Sequence, residues 1–276
     1  MKKILLAFDG KTTPKGALDF AKFLNEKNQV LAIGAFLPQV NYANIVTDPG
    51  GSMAGTLVTP VLGGEDNEKM QKAIEYFESY CTRNHIEYRV HKDLNDFAVP
   101  ELRNETRFAD LLLISSETFY ENSGVMEPNT YWKEVLHHLE CPVIIVPENF
   151  DSPNSNILAY DGTKSSVYAI KQFAYLFPEL CDNSTILVYA SEKSGDEEFP
   201  EESNIEELAA RHFSDLTLLR LEADPRKYFS SWLMENNRSI LITGAFGRSE
   251  LSLLFRKSFV SDIISDHKLP LFVAHK

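Results

Sequence analysis

An internal repeat narrows the fold more than any other feature of this chain. Ile4-Leu5-Leu6-Ala7-Phe8-Asp9-Gly10 recurs 152 positions on as Asn156-Ile157-Leu158-Ala159-Tyr160-Asp161-Gly162. Each copy is a short apolar run ending in Asp-Gly, so each reads as a buried strand running into a turn. A helical pattern follows each: Ala17-Leu18, Phe20-Ala21 and Leu24 in the first, Ala169-Ile170, Phe173-Ala174 and Phe177 in the second. The copies also close alike, on Cys141-Pro142-Val143-Ile144-Ile145-Val146 and Leu269-Pro270-Leu271-Phe272-Val273-Ala274. A repeat of about 140 residues is too long for a solenoid unit and has the size of a domain. The 276 residues therefore read as two tandem domains, 1–148 and 155–276, joined through the polar stretch Glu148–Ser155.

Strand and helix patterns alternate throughout. In the first copy the spacing predicts strands at about 3–9, 29–36, 87–93, 110–115 and 142–147, with helices at about 14–27, 66–84, 97–107 and 129–139. In the second it predicts strands at about 156–161, 184–190, 216–222, 239–243 and 270–275, with helices at about 165–177, 202–212, 225–236 and 258–266. Runs such as Leu111-Leu112-Leu113-Ile114 are continuously apolar, as strands covered on both faces are. Right-handed crossovers then give an α/β fold, each domain a five-stranded, parallel, doubly wound sheet. In such sheets ligands sit beyond the carboxyl ends of the strands. Asp161 and Gly244 both belong at that edge. One segment breaks the alternation: Gln39 to Glu65 carries Gly50, Gly51, Gly55, Gly63 and Gly64 with Pro49 and Pro60. A loop of that length is either a lid or contacting arm, or an unconstrained insertion. Its counterpart, Ser191–Asn204, is Ser- and Glu-rich and reads as a solvated loop.

The stretch with the most chemistry is Ser239 to Ser261. An apolar run, Ile240-Leu241-Ile242-Thr243, leads into Gly244-Ala245-Phe246-Gly247. Nine residues later Lys257-Ser258 opens an amphipathic pattern, with Ser258 as the candidate N-cap. Glycine lets backbone N–H groups approach a ligand closely. A helix start adds free N–H donors and a positive dipole end, and together these suit an anion. The spacing is neither the G-x-x-x-x-G-K-[ST] phosphate loop nor the dinucleotide G-x-G-x-x-G.

Gly-x2-Gly-x9-Gly-Ser/Thr, late in a five-strand α/β domain, resembles the ATP-binding signature of the universal stress protein family. Gly244, Gly247 and Ser258 match it in register, and Lys257 stands where the family has its third glycine. The continuation KSFVSDIISDHKLPLFVA also resembles the family's closing helix and last strand. The resemblance implies two tandem Rossmann-like domains of the adenine nucleotide alpha hydrolase-like type, with strand order 3-2-1-4-5. It implies a stress-response protein that binds ATP, or AMP or ADP, with or without Mg²⁺. The implied nucleotide-binding residues are Asp161, Ala190, Gly244, Gly247 and Ser258, and the charges of Arg248 and Lys257 beside the same loop add two candidate phosphate partners. It also implies that the last strands of the two domains pair, giving an intramolecular pseudo-dimer, with homodimerisation left open.

Several of these residues carry a second reading. Asp161 fits the ribose and adenine end of a nucleotide, and equally the capping of its own Asp-Gly turn. Tyr189, before Ala190, lines the base or packs in the core. Lys257 either weakens the site by about 1 kcal/mol where a glycine conformation is needed, or reaches a phosphate with its ammonium. Arg248 and Arg256 flank the same loop. In the first copy the counterparts read as Ser116, Phe119 and Asn129-Thr130. Both turn glycines are gone there, and Glu117, Glu121 and Glu127 add negative charge, so the first copy is expected not to bind ATP in the family's manner.

Net charge is −13, with 14 Lys and Arg against 21 Asp and Glu in residues 1–150, so neither half is a basic module. Nucleic-acid binding is disfavoured accordingly. Cys81, Cys141 and Cys181 form no CxxC and read as buried small hydrophobes in a reducing compartment. The apolar run after Lys2-Lys3 meets Asp9 too early for a signal peptide, and no run is long enough to span a membrane. A cytoplasmic protein is expected. His137-His138 do not make a metal pair, and neither HExxH nor a Ser-His-Asp arrangement is readable, so no catalytic and no metal residue is assigned. Asp9 and Asp161 lack the neighbouring acid that a phospho-acceptor site needs. The remaining alternatives are a scaffold that has lost nucleotide binding, and a nucleotidyl-transferring enzyme, which would need a His or Lys motif beside the loop.

Overall fold

The computed structural model of the chain describes residues 1–8, 13–36, 64–92, 98–117, 138–190, 200–221, 238–244 and 269–274. The first half comprises β1 (Lys2–Phe8), α1 (Lys15–Lys27), β2 (Val30–Phe36), α2 (Gly64–Arg83), β3 (Glu87–Lys92), α3 (Ala98–Arg107), β4 (Leu111–Ser115) and β5 (Val143–Val146). The second comprises β6 (Ser155–Tyr160), α4 (Lys164–Leu176), a 3₁₀ turn (Pro178–Leu180), β7 (Ser184–Ala190), α5 (Glu202–Ala210), β8 (Leu216–Leu221), β9 (Ser239–Gly244) and β10 (Leu271–Ala274). The elements expected at 225–236 and 258–266, that at 129–139 up to residue 137, and most of the Gly-rich segment lie outside the described residues.

All ten strands form one sheet in the order β3-β2-β1-β4-β5-β10-β9-β6-β7-β8. Each half thus has the order 3-2-1-4-5, with every pairing inside a half parallel. The halves meet where β5 and β10 pair antiparallel, Ile144 opposite Phe272. Strand direction therefore reverses at the seam, and the carboxyl edges of the two halves open on opposite sides of the sheet.

The pattern of each strand explains why it sits where it does. The strands next to the seam, β4, β5, β9 and β10, are buried along their whole length. Edge strand β3 has only exposed and half-buried residues, as a strand with one open edge tolerates. On one face α1 lays down Ala17, Leu18, Phe20, Ala21 and Leu24, and α4 lays down Ala169, Ile170, Phe173 and Ala174. Both stripes follow helical spacing. They belong to one apolar cluster that runs through both halves. Phe173 meets Phe177, Phe213 and Phe272 with ring centroids 5.4, 6.4 and 5.4 Å away. Burying such a ring contributes about 2–3 kcal/mol. The opposite face is a second cluster built on Leu5, Leu112, Ile145, Leu241, Leu271 and Leu102 of α3.

The pairing of β1 with β4 sets Ile4 opposite Leu111, and that of β6 with β9 sets Asn156 opposite Ile240. Ile4 and Asn156 are the repeat partners, so this register makes Ser115 the counterpart of Gly244. The sequence alignment placed Ser116 there. It slipped by one because an apolar run has no internal marker of register, whereas a parallel ladder does. Among the described residues no helix is long and apolar enough to cross a membrane.

Candidate functional site

In a doubly wound sheet the crevice opens where strand order reverses. In the second half that point lies between β6 and β9, which pair directly. Gly244 ends β9, and Asp161 follows β6 by one residue. The sequence expectation carried strand six through Asp161, but the strand stops at Tyr160 because the aspartate turns the chain. Its Oδ1 accepts from the Thr163 N–H at 3.0 Å and from the Thr163 hydroxyl at 2.6 Å. Thr163 in turn caps α4, its Oγ1 accepting from the Ser166 N–H at 3.2 Å. Such a cap contributes about 1 kcal/mol. Of the two readings of Asp161, the turn-capping one is therefore present in the structure.

Gly162 takes φ +78°, in the left-handed region, and a Cβ there would lie 3.0 Å from Pro200 Cβ. The Asp-Gly turn is thus packed under the segment that leads into α5. Tyr160 reaches the same segment, its hydroxyl donating to the Pro200 carbonyl at 2.9 Å. Burial, with the negative charges of Glu201 and Asp161 nearby, raises the Tyr160 pKa and keeps the phenol protonated. The Tyr189 ring, at the end of β7, lies 6.5 Å from that of Tyr160. Tyr189 is buried, and Ala190 closes β7 beside it, opposite Leu221 of β8.

Among the described glycines of the second half, the closest approach is at Gly244. A Cβ on Gly244 would lie 2.6 Å from both the Ser165 carbonyl carbon and the Ser166 nitrogen. No side chain fits against backbone at that distance, so glycine is what allows the first turn of α4 to rest on the end of β9. The N-terminal turn of a 13-residue helix, with its N–H groups and dipole, is thereby set beside the β6–β9 crevice. The structure sets Gly244, Asp161 and Ala190 at the carboxyl ends of three neighbouring strands, β9, β6 and β7. Gly247, Arg248, Lys257 and Ser258 lie outside the described residues, as does Arg256. Sequence reasoning missed Thr163, Ser165 and Ser166. Thr163 carried a readable signal, a threonine immediately before a helical pattern. The two serines carried none, because what singles them out is contact with a glycine far along the chain.

The corresponding corner of the first half is built differently. Ser115 and Ser116 are buried, at 2% and 6% exposure. The Glu117 carboxylate accepts from the Ser116 hydroxyl at 2.9 Å, and the Glu148 carboxylate accepts from the Ser115 hydroxyl at 2.7 Å. Glu148 also accepts from the Gly16 N–H in the first turn of α1, at 3.0 Å. Gly16 is placed more tightly than Gly244: its Cβ would lie 2.2 Å from the Pro147 carbonyl oxygen. Asp9, Phe119, Asn129 and Thr130 lie outside the described residues. Among the described residues no three His, Cys, Asp or Glu side chains gather as a metal site requires.

No family model matches this sequence. No curated protein matches it either. Solved structures do. The chain superposes on a universal stress protein from Archaeoglobus fulgidus DSM 4304 with a TM-score of 0.68 at 15% identity, covering 99% of this chain and 98% of that one. It also superposes on a functionally unknown protein from Pseudomonas aeruginosa PAO1 with a TM-score of 0.54 at 11% identity, over 100% of this chain and 92% of that one. At these identities the likeness speaks for the fold, and it extends over both halves. The chain has the fold of the universal stress proteins in tandem form.

Proposed function

We propose that the protein is a stress-response binding protein with one adenine-nucleotide site, in its second half. The observation that carries the reading is the contact at Gly244. It rests a helix N-terminus on the end of β9, beside the crevice flanked by Asp161 and Ala190. Phosphates suit that helix start, and the adenosine end suits the Asp161 and Tyr189-Ala190 side. The motif supports the same reading, since Gly247 and Ser258 follow Gly244 at the family's spacing, with Lys257 in place of the third glycine and Arg248 beside the loop. ATP, ADP or AMP is the ligand class, with Mg²⁺ as a companion of the triphosphate. The protein acts as a binder or sensor rather than a catalyst, in the cytoplasm. Its two halves behave as an internal pseudo-dimer, for which the β5–β10 pairing is the support.

Calorimetric titration of ATP with Mg²⁺ into the full chain, beside the Gly247→Phe variant, tests this. The expected result is one site per chain, lost in the variant. No heat and no thermal shift at millimolar ATP would leave the scaffold reading in its place.

A further inference from the structure

We infer that Glu148 is a built-in occupant of the first half's anion corner, and that its carboxylate, backed by Glu117, closes this half to phosphate. The inference concerns the first half alone and stands apart from the nucleotide site proposed for the second.

The two halves solve the same problem differently. The first turn of α4 is capped locally by Thr163. The first turn of α1 has Pro14 at its N-cap position, with no side-chain capping bond. Its Gly16 N–H is satisfied instead by Glu148, 132 positions away in the segment that joins the halves. The same carboxylate is the nearer of two acceptors for the Ser115 hydroxyl, at 2.7 Å against 2.9 Å for Glu117 Oε2, and Ser115 stands where the second half has Gly244.

Glu117 completes the arrangement. It accepts from the Ser116 hydroxyl through Oε2 and from the Glu148 N–H through Oε1. Two backbone N–H groups and two buried hydroxyls thus converge on two carboxylates. A helix N-terminus with converging donors is what binds phosphate elsewhere. Here the anion is supplied by the chain itself. An incoming phosphate would have to displace both carboxylates or sit beside them, and like charges at contact distance repel, most at the half-buried Glu148 and less at the exposed Glu117.

The test uses the isotope-labelled full chain and orthophosphate, followed at the Gly16 amide by NMR. In the wild type, Gly16 is expected not to move at tens of millimolar phosphate. In the Glu117→Gln/Glu148→Ala double variant it is expected to move and saturate, with affinity raised about tenfold or more. A saturable Gly16 shift in the wild type would overturn the inference. So would a folded double variant that binds phosphate no better. If the double variant does not fold, Glu148→Gln keeps the shape and an acceptor for Gly16 but removes the charge. It must then bind phosphate several-fold more tightly than the wild type, and an unchanged affinity overturns the proposal. Because the readout is local to Gly16, failure here is distinguishable from failure of the second-half site.

Discussion

Lys2 and Glu179 are joined by an ion pair that crosses between the two halves, Nζ to Oε1 at 2.5 Å, over a sequence separation of 177. Both side chains are largely covered, at 15% and 17% exposure, and the Lys2 ammonium also lies 5.5 Å from the centre of the Phe177 ring. The other oxygen of Glu179 is buried without a partner. Removing the lysine would leave a carboxylate with little compensation, which costs more than an exposed pair is worth. Lys2→Met is expected to destabilise by about 2 kcal/mol, and adding Glu179→Leu to recover most of that. Urea denaturation of the two single variants and the double variant measures the coupling. Additive losses would show that the pair contributes nothing.

Gly244→Ala places a methyl 2.6 Å from backbone atoms of Ser165 and Ser166. The neighbours are main chain, so the first turn of α4 has to move. A loss of about 2 kcal/mol is expected, with weaker ATP binding alongside. An alanine variant with unchanged stability and an unmoved Ser166 amide resonance would contradict the contact.

Burial pushes the thiols of Cys81 and Cys141 up to about 12 and that of Cys181 up to about 11, with Asp110 adding to Cys141, and Asp182 and Glu179 adding to Cys181. All three are free and buried. Thiolate is the reactive form, so the native protein is expected to react with a disulfide reagent at pH 8 orders of magnitude more slowly than in denaturant. The folded chain holds these protons where the unfolded chain has released them. Their contribution to stability is therefore complete below the unfolded thiol range and falls as pH rises from about 9 towards 12. Fast labelling of any one thiol in the native state would refute its burial.

Glu140 titrates at the other end of the scale. Hydrogen bonding from Arg107 comes first among the causes that hold its carboxyl down at about 2, with Arg103 adding to it. The Arg107 contacts are 2.8 Å to each oxygen. The stabilisation is present above the ordinary carboxyl value and is lost as pH falls from about 4.5 towards 2. An NMR titration of the Glu140 carboxyl carbon should show the low midpoint in the wild type, and Arg107→Gln should raise it. A wild-type midpoint near 4.5 would contradict the pairing.

The repeat, the alternation of strand and helix, and the strand ends to within a residue are all written in the sequence. Those features rest on local physics: apolar periodicity, Asp-Gly turn chemistry and continuous apolar runs act over a few residues and can be read along the chain. Asp161 and Gly244 were legible for that reason, and both lie at the carboxyl edge of adjacent strands. The one-residue slip between Ser116 and Ser115 marks where local reading fails, because register is set by the ladder between Ile4 and Leu111. That Glu148 caps α1, that Ser166 rests against Gly244 and that Lys2 meets Glu179 follows from the three-dimensional fold alone. Those contacts join residues 132, 78 and 177 positions apart. They exist because the crossovers and the antiparallel β5–β10 seam bring distant strand ends together, and no short-range pattern encodes that.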